Sequence, residues 1–509
     1  MLHVSLIFEF LRAHPRTTFW TVALSQALLW ILLPVLFYAA PPGDLPITLA
    51  IGHEFQLGTD RGPPLAFWLA EIVYRFGGMT GVYVLAQACV VVALWGIFAL
   101  GRATVGIFQA VLAVLLMVGI AVFSVPTPEF GPAILAMPIW MLVLLHYWYA
   151  LGEDRSSYWI VLALEMGLLM LTTALSWLFL ALLALFTVAT ARGRAALRST
   201  DPWICALAAV LIGLPYLVWL GDAEDIWKPA LARLRLIGAG EGAAEWLTIL
   251  RDLAAAHAGA IVFVLLASTW RLSQRERVPT VERAPMRPLA KSMIYFFALA
   301  PLLMGTLAIA LLGYSWSLAQ AGPLVLFSGL AVIAAAGGKI PLYRQRLLGM
   351  TWTGFLVGPP AAVALALMLL PWIFAVDFKV LYPADEMGRF FTESFERRTG
   401  QPLEIVAGDP HIAALVAMEP QRRPRLLMIG SPERSRWVGP VDARVNGAVV
   451  VWPAADTLGT PPLPVKENFP NLVLEVPRAF ERSIQGRLPP LRIGWTVIRP
   501  PTEPPPPAP

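Results

Sequence analysis

The sequence is poor in charge, cysteine and histidine. Only 14% of its 509 residues are Asp, Glu, Lys or Arg, where a soluble domain carries about 25%. With 58% hydrophobic residues and a mean hydropathy of +0.67, the chain must hide apolar surface in lipid. Its two cysteines, Cys89 and Cys205, both fall in apolar runs. That excludes a disulfide framework and reads as two small buried hydrophobes. The net charge of +5 is spread between apolar runs and forms no patch, so a nucleic-acid partner is excluded. No internal repeat is visible, which gives no support to a transporter of repeated halves. The first apolar run, residues 19–39, has no small-residue cleavage site and reads as an uncleaved anchor.

What is present is a series of apolar runs long enough to cross a bilayer. They lie at about 19–39, 80–100, 104–124, 132–151, 203–219, 254–270, 292–313, 319–337 and 351–375. Residues 158–190 are too long for one ordinary crossing and read as two short ones that turn near 174–177. Counting short loops, sixteen basic residues from Arg12 to Arg346 fall on the N-terminal side. The other side, before the tail, carries six: Arg61, Arg75, Lys228, Arg233, Arg235 and Arg251. The positive-inside rule then puts the N-terminus in the cytoplasm and loops 40–79 and 221–252 on the far side. The expected fold is an α-helical polytopic membrane protein with about 11 transmembrane helices and a small C-terminal α/β domain. The expected domains are a transmembrane unit 1–376, a far-side α/β domain 377–499 and a disordered proline-rich tail 500–509. In the α/β domain, a helix over 386–398 stops at Gly400. Strand-like runs cover 403–406, 425–429, 448–452 and 472–475.

The chemistry-bearing residues concentrate in Asp44 to Leu69, a polar stretch between apolar runs. Asp44 sits at the end of the first crossing, where partial desolvation suits a base or a divalent-cation ligand; it equally suits a cap for a helix from Pro46. Arg61 can grip a phosphate in a fork, or pair with Asp60. His53, Glu54 and Asp60 complete the candidate substrate-binding set. Glu129, in Pro126-Thr127-Pro128-Glu129, follows the third crossing and so faces the same side. It can share a metal with Asp44 or divide acid and base work with it, or simply favour the dipole of the next helix. Glu71 and Arg75, four apart after Pro63-Pro64, read as an ion pair on an interfacial helix. Loop 221–252 reads as a solvated amphipathic helix. His146 and Glu165, the polar residues within the crossings, read as interior groups with partners.

Around these residues the pattern resembles a known family. An acid after the first crossing, then Gly58, Pro63-Pro64-Leu65 and Trp68-Leu69, is similar to the first far-side loop of glycosyltransferase family 39. That family includes aminoarabinose-transferase-like enzymes and protein O-mannosyltransferases. Thr127-Pro128-Glu129 resembles its Thr-Pro-Asp. Tyr382-Pro383-Ala384, Val406-Ala407-Gly408-Asp409 and Arg423-Pro424 resemble its tail region. The resemblance implies a GT-C fold in the bacterial inner membrane with the C-terminal domain in the periplasm. It also implies transfer of a sugar from a polyprenyl-phosphate donor to an envelope acceptor, a lipid, glycan or protein. Asp44 and Glu129 would be the catalytic acids, with Mg or Mn as a shared cation. Leu45, Gly62 and Trp177 stand where the family carries polar residues. A relative that binds lipid-linked sugar without turnover therefore stays open beside the enzyme, as does a transporter.

Overall fold

A computed structural model describes residues 13–267, 280–282, 285–314, 316–341, 345–419, 422–429, 435–454, 456–470 and 472–501. Several basic residues of the loop count (Arg12, Arg271, Arg275, Arg277, Arg283 and Arg344) and the proline tail from 502 lie outside the described residues.

Helices dominate. In chain order α1 is Pro15–Phe37, α2 Leu45–His53 and α3 Leu65–Thr104. They are followed by α4 Ile107–Val118, α5 Pro132–Tyr147, α6 Tyr158–Met170, α7 Leu175–Ala189 and α8 Ala191–Ala196. Then come α9 Asp201–Asp222, α10 Glu224–Leu236, α11 Ala239–Ala256 and α12 Ala258–Ala267. A short strand β1, Thr280–Glu282, precedes α13, Pro288–Leu312; α14 is Ser328–Ala335, β2 Lys339–Pro341 and α15 Gln345–Ile373. Among the described residues, six helices are long and apolar enough to cross a membrane, or eight if each of two bent pairs counts as one crossing. The protein is a multi-pass membrane protein.

Expected boundaries shift where the backbone breaks. Helix α3 is 40 residues long, but Gly78 at φ 57° interrupts it, a conformation that costs a glycine little. The interfacial helix expected over 63–76 and the crossing expected over 80–100 are thus two arms of one kinked element. Residues 158–190 do form two helices, α6 and α7. The polar stretch 221–252 is helical, as α10 and most of α11. The crossings expected at 254–270 and 319–337 are bent pairs, with breaks of 50° and 46°.

The chain groups into two compact units, one of residues 1–32 and 83–362, the other of 33–82 and 363–509. The sequence reading divides the chain at 376 and leaves loop 40–79 with the transmembrane unit. The contacts instead group that loop with the tail, because the two share one apolar core. Ala40, Ile47, Ile51 and Phe67 pack with Met387, Phe391, Leu415, Val451 and Trp495.

The tail part of that unit is a mixed α/β fold. Helix α16, Ala384–Thr399, ends on Gly400 in the left-handed region, as expected. Strands β3 Ile405–Gly408, β4 Arg425–Met428 and β5 Ala448–Pro453 form the parallel part of a five-stranded sheet. Strands β7, Leu491–Ile498, and β6, Arg478–Phe480, add to it antiparallel, giving the order β4-β3-β5-β7-β6. Helices α17 Pro410–Ala417, α18 Pro440–Val445 and α19 Leu463–Asn468 complete it. The strand expected at 472–475 is absent. Those residues lie beside β7 through single bonds, Glu475 N to Trp495 O at 3.2 Å among them, without a ladder. Strands β6 and β7 were not foreseen. Both cysteines are buried and free of disulfides.

Close approach of α2 to α3 requires Gly52. A Cβ there would lie 2.3 Å from the carbonyl oxygen of Phe67 and 3.0 Å from the Cβ of Glu71. Backbone cannot yield as a flexible side chain does, so Gly52→Ala is expected to cost about 1–3 kcal/mol. Gly77→Ala, with nothing within 4 Å of its Cβ, is expected to be neutral or stabilising. Thermal unfolding in detergent checks this; equal midpoints for the two variants would contradict it.

Candidate functional site

The site builds on the turn that enters α2. Pro46 fills the first turn of α2, where its missing N–H costs nothing, and Asp44 occupies the N-cap position. Its side chain makes no cap hydrogen bond. Instead Arg61 Nη1 donates to Asp44 Oδ2 at 2.6 Å, with the carboxylate 61% exposed. The plain capping reading is therefore wrong in its chemistry, although right in position. Arg61 is presented by a tight turn: the Thr59 and Gly62 backbones exchange hydrogen bonds at 3.1 Å, and Arg61 N donates to Thr59 Oγ1 at 3.2 Å. Its ion pair is with Asp44; its neighbour Asp60 lies half-buried in the same turn.

His53 and Glu54, at the far end of α2, turn toward other partners. His53 Nδ1 lies 3.1 Å from Glu71 Oε1. Glu54 forms a fork with Arg425, Nε to Oε1 at 3.1 Å and Nη2 to Oε2 at 3.0 Å. Arg425 also donates to the carbonyl of Trp437, whose indole donates to Leu426 O at 3.0 Å. This is a bidentate pair of the strong kind, and both members are spoken for. Sequence reasoning took His53 and Glu54 as substrate contacts; the structure uses them to tie α2 to α3 and to β4.

Glu71 is the centre of the group. It is only 1% exposed and meets two guanidinium groups and an imidazole. Arg75 Nε donates to Oε1 at 2.9 Å, His53 lies on the same oxygen, and Arg423 donates to Oε2. The expected pair with Arg75 forms, but on the inner face of the helix. Around it the usual arrangement is inverted, with Ile72 and Phe76 exposed at 41% and 91%. A helix with its acid inside and its apolar side chains outside suits a lipid boundary. Arg423 stacks over the Tyr74 ring at 4.7 Å and sits at φ 47°, a strained position for a non-glycine residue. Neither Arg423 nor Arg425 was foreseen as a partner of this loop. No local spacing signals a contact more than 350 positions away along the chain.

A second feature not foreseen is His411, in the first turn of α17, whose N-cap Asp409 accepts from His411 N and Ile412 N at 3.1 and 3.0 Å. Burial, and then the nearby Lys379, pull the His411 imidazole below its ordinary pKa, against the opposing fields of Asp409 and Asp44. Tyr382 faces it edge-on at 6.4 Å and donates to Asp377 Oδ2 at 3.0 Å. Arg482 grips that same carboxylate through Nε and Nη2 at 2.8 and 3.0 Å.

Glu129 belongs to the other unit. Its turn is fixed by Thr127, which is fully buried, donates to Ser124 O at 2.7 Å and accepts from Gln87 Nε2 at 2.9 Å. Glu129 itself is half-buried. Within the crossings His146 Nδ1 lies 2.6 Å from Glu165 Oε1, so the two residues expected as satisfied interior groups meet each other. Among the described residues no three His, Cys, Asp or Glu side chains group as metal ligands. Asp44 pairs with a guanidinium.

The match to known proteins in sequence begins inside this loop, at Arg61. Residues 61–219 match the family model for dolichyl-phosphate-mannose-protein mannosyltransferase. The fold is similar to the crystal structure of ArnT from Cupriavidus metallidurans bound to undecaprenyl phosphate. That match has TM-score 0.58 and 13% identity, over 95% of this chain and 98% of that one. The chain has a GT-C-like membrane fold. The apo form of the same ArnT gives TM-score 0.55 at 15% identity, over 96% of this chain and 100% of that one. An Archaeoglobus fulgidus oligosaccharyltransferase aligns at TM-score 0.43 and 12% identity, over 85% of this chain and 67% of that one. No curated protein matches the chain in sequence. The GT-C-like resemblance stated from Asp44 and the Pro-Pro-Leu run is thus upheld at the level of the fold.

Two predictions follow from the charges. Arg423→Met leaves a buried carboxylate with two partly exposed partners and is expected to cost on the order of 3 kcal/mol. The Glu71→Leu/Arg423→Met double variant should cost clearly less than the sum of the single ones; additive losses in thermal unfolding would refute the coupling. For His411, the unfolded chain binds a proton before the folded one. Its contribution to stability is present above the ordinary value of 6.5 and is lost as pH falls below it. His411→Asn should flatten the acid side of a midpoint-against-pH curve, and an unaltered slope would contradict this.

Proposed function

We propose that the protein transfers a sugar from a polyprenyl-phosphate donor to an envelope acceptor, lipid, glycan or protein, at the periplasmic face of a bacterial inner membrane. The observation that carries the reading is the exposed Asp44–Arg61 pair at the mouth of α2, a base and a phosphate-binding fork side by side. The ArnT fold, seen with undecaprenyl phosphate in its own structure, supports a lipid-phosphate donor here. Counting the two bent pairs and the three shorter apolar helices as crossings gives eleven. That agrees with a cytoplasmic N-terminus and a periplasmic tail domain.

In this mechanism the donor phosphate competes with Asp44 for Arg61. The guanidinium moves onto the phosphate, which frees the Asp44 carboxylate to accept a hydrogen bond from the acceptor hydroxyl. The hydroxyl oxygen attacks the anomeric carbon, and its proton passes to Asp44. The bond from that carbon to the phosphate oxygen breaks, and its electron pair leaves on the polyprenyl phosphate, where Arg61 offsets the charge. His53, Glu54 and Glu71 hold the loop. Exposed Ile72 and Phe76 seat it against lipid.

Asp44→Asn is expected to lower transfer by about 100-fold or more at unchanged protein level. Arg61→Ala should raise KM for the donor more than Arg61→Lys does. Turnover by Asp44→Asn at the wild-type rate would sink the assignment. The binding-only relative would instead retain labelled polyprenyl-phosphate sugar without turnover, across lipid A, hopanoid, polysaccharide and protein acceptors.

A further inference from the structure

The polar stretch 221–252 reads as solvated in the sequence, but one side of its first helix, α10, is neither packed nor polar. Two contacts fix which way α10 faces. Arg233 Nη2 donates to both carboxylate oxygens of Glu245 in α11, at 2.7 and 2.8 Å. Arg233 also lies against the end of α13, where a Cβ on Gly313 would come within 2.5 Å of its Cδ and Nε. Ile226 and Ile237, seven before and four after Arg233, share that side and are half-buried. This is the side that α10 turns to the rest of its own unit.

A second stripe runs beside the packed one. Trp227, Leu231 and Leu234 are 36%, 45% and 46% exposed, and their spacing of i, i+4 and i+7 puts them on one face. On the third side stand Glu224, Lys228 and Ala232, all exposed. Lys228 pairs with Glu224, and its ammonium lies 5.9 Å from the centre of the Trp227 ring. One side of α10 thus meets protein, the next is apolar and open, and the third is charged. That order suits a helix lying in the plane of a membrane interface. In water the open stripe would be an uncovered apolar patch.

The neighbouring helix supplies the covering surface. α9 is long and apolar enough to cross a membrane. Trp203, Leu207, Leu211, Leu214 and Val218 form one face of it, each at least 44% exposed, which is its lipid side. α10 begins directly after α9, so its stripe continues a lipid boundary already present. A tryptophan beside a long cationic side chain is also the pairing that anchors a segment at head-group depth.

We infer that α10 lies flat on the bilayer at the C-terminal end of α9, with Trp227, Leu231 and Leu234 sunk into the boundary between head groups and acyl chains. Glu224 and Lys228 stay at the level of the head groups. The occupant of the stripe is lipid. This assignment does not depend on sugar transfer.

Spin labelling of the full chain in phosphatidylcholine nanodiscs tests it. Leu231→Cys and Leu234→Cys put a nitroxide on the stripe; Lys228→Cys and Ala232→Cys put one on the charged side. Wild type is the blank, since Cys89 and Cys205 are buried. Oxygen concentrates in lipid and a nickel chelate in water, so the ratio of their relaxation effects gives depth. Labels at 231 and 234 should lie about 5–10 Å below the phosphates, and those at 228 and 232 level with the phosphates or above them. Thermal unfolding in detergent checks that each variant is folded, and Trp227→Cys replaces either leucine variant that is not. Chelate access at 231 and 234 equal to that at 228 and 232 would overturn the inference. So would labels at 231 and 234 that are closed to both reagents and broadened by a second label, because a second copy of the chain would then cover the stripe.

Discussion

One buried carboxylate organises the unit that carries the candidate site. Taking Glu71 out of water costs several kcal/mol unless cations and hydrogen bonds meet both of its oxygens. They come from three places: His53 at the end of α2, Arg75 one turn along the same helix, and Arg423 from the tail. Satisfying that one group fixes α2, α3 and the tail against each other. The adjacent Glu54–Arg425 fork repeats the tie one residue on, and the shared apolar core closes around it. Loop 40–79 is therefore a rigid part of an α/β body, although a polar stretch between apolar runs looks like a free connector.

That rigidity matters for chemistry. In the proposed mechanism Asp44 and Arg61 must be held in register for the guanidinium to pass from carboxylate to phosphate, since a misplacement of one ångström can cost a hundredfold. The turn of residues 59–62 fixes one partner and the first turn of α2 fixes the other. The tail carries no residue of that pair. What it supplies is the scaffold, through Arg423 and Arg425, and a buried imidazole, His411, whose neutral form the fold prefers. The membrane part follows a different rule. There the backbone is satisfied within each helix, and breaks such as Gly78 occur where an arm lies along the boundary before the chain crosses.

Much of this was legible in the sequence because it depends on composition and on local pattern. Apolar run length gave the helices of the membrane part, including the division of 158–190 into α6 and α7. Gly400 marked the end of α16. Glu71 and Arg75 announced their pair by a spacing of four, and His146 with Glu165 proved to be partners, as two polar groups inside lipid must be. The GT-C resemblance rested on Asp44, Gly58 and the Pro-Pro-Leu run, which are close together along the chain. Strands β6 and β7 escaped notice because short edge segments carry too few residues for a period to show. The expected strand at 472–475 looked right by β-propensity, but it found no ladder partner.

The sequence by itself determined that this chain lives in a membrane, is built of helices with a small α/β tail, and places acids and an arginine after its first crossing. Those properties follow from hydropathy and from residues adjacent along the chain. Only the tertiary structure decided who pairs with whom: Arg61 with Asp44, Glu54 with Arg425, Glu71 with Arg423. The reason is physical. A charge forced out of water takes whatever opposite charge the fold brings within reach, and that reach is set by packing in space, on which separation along the chain has no bearing.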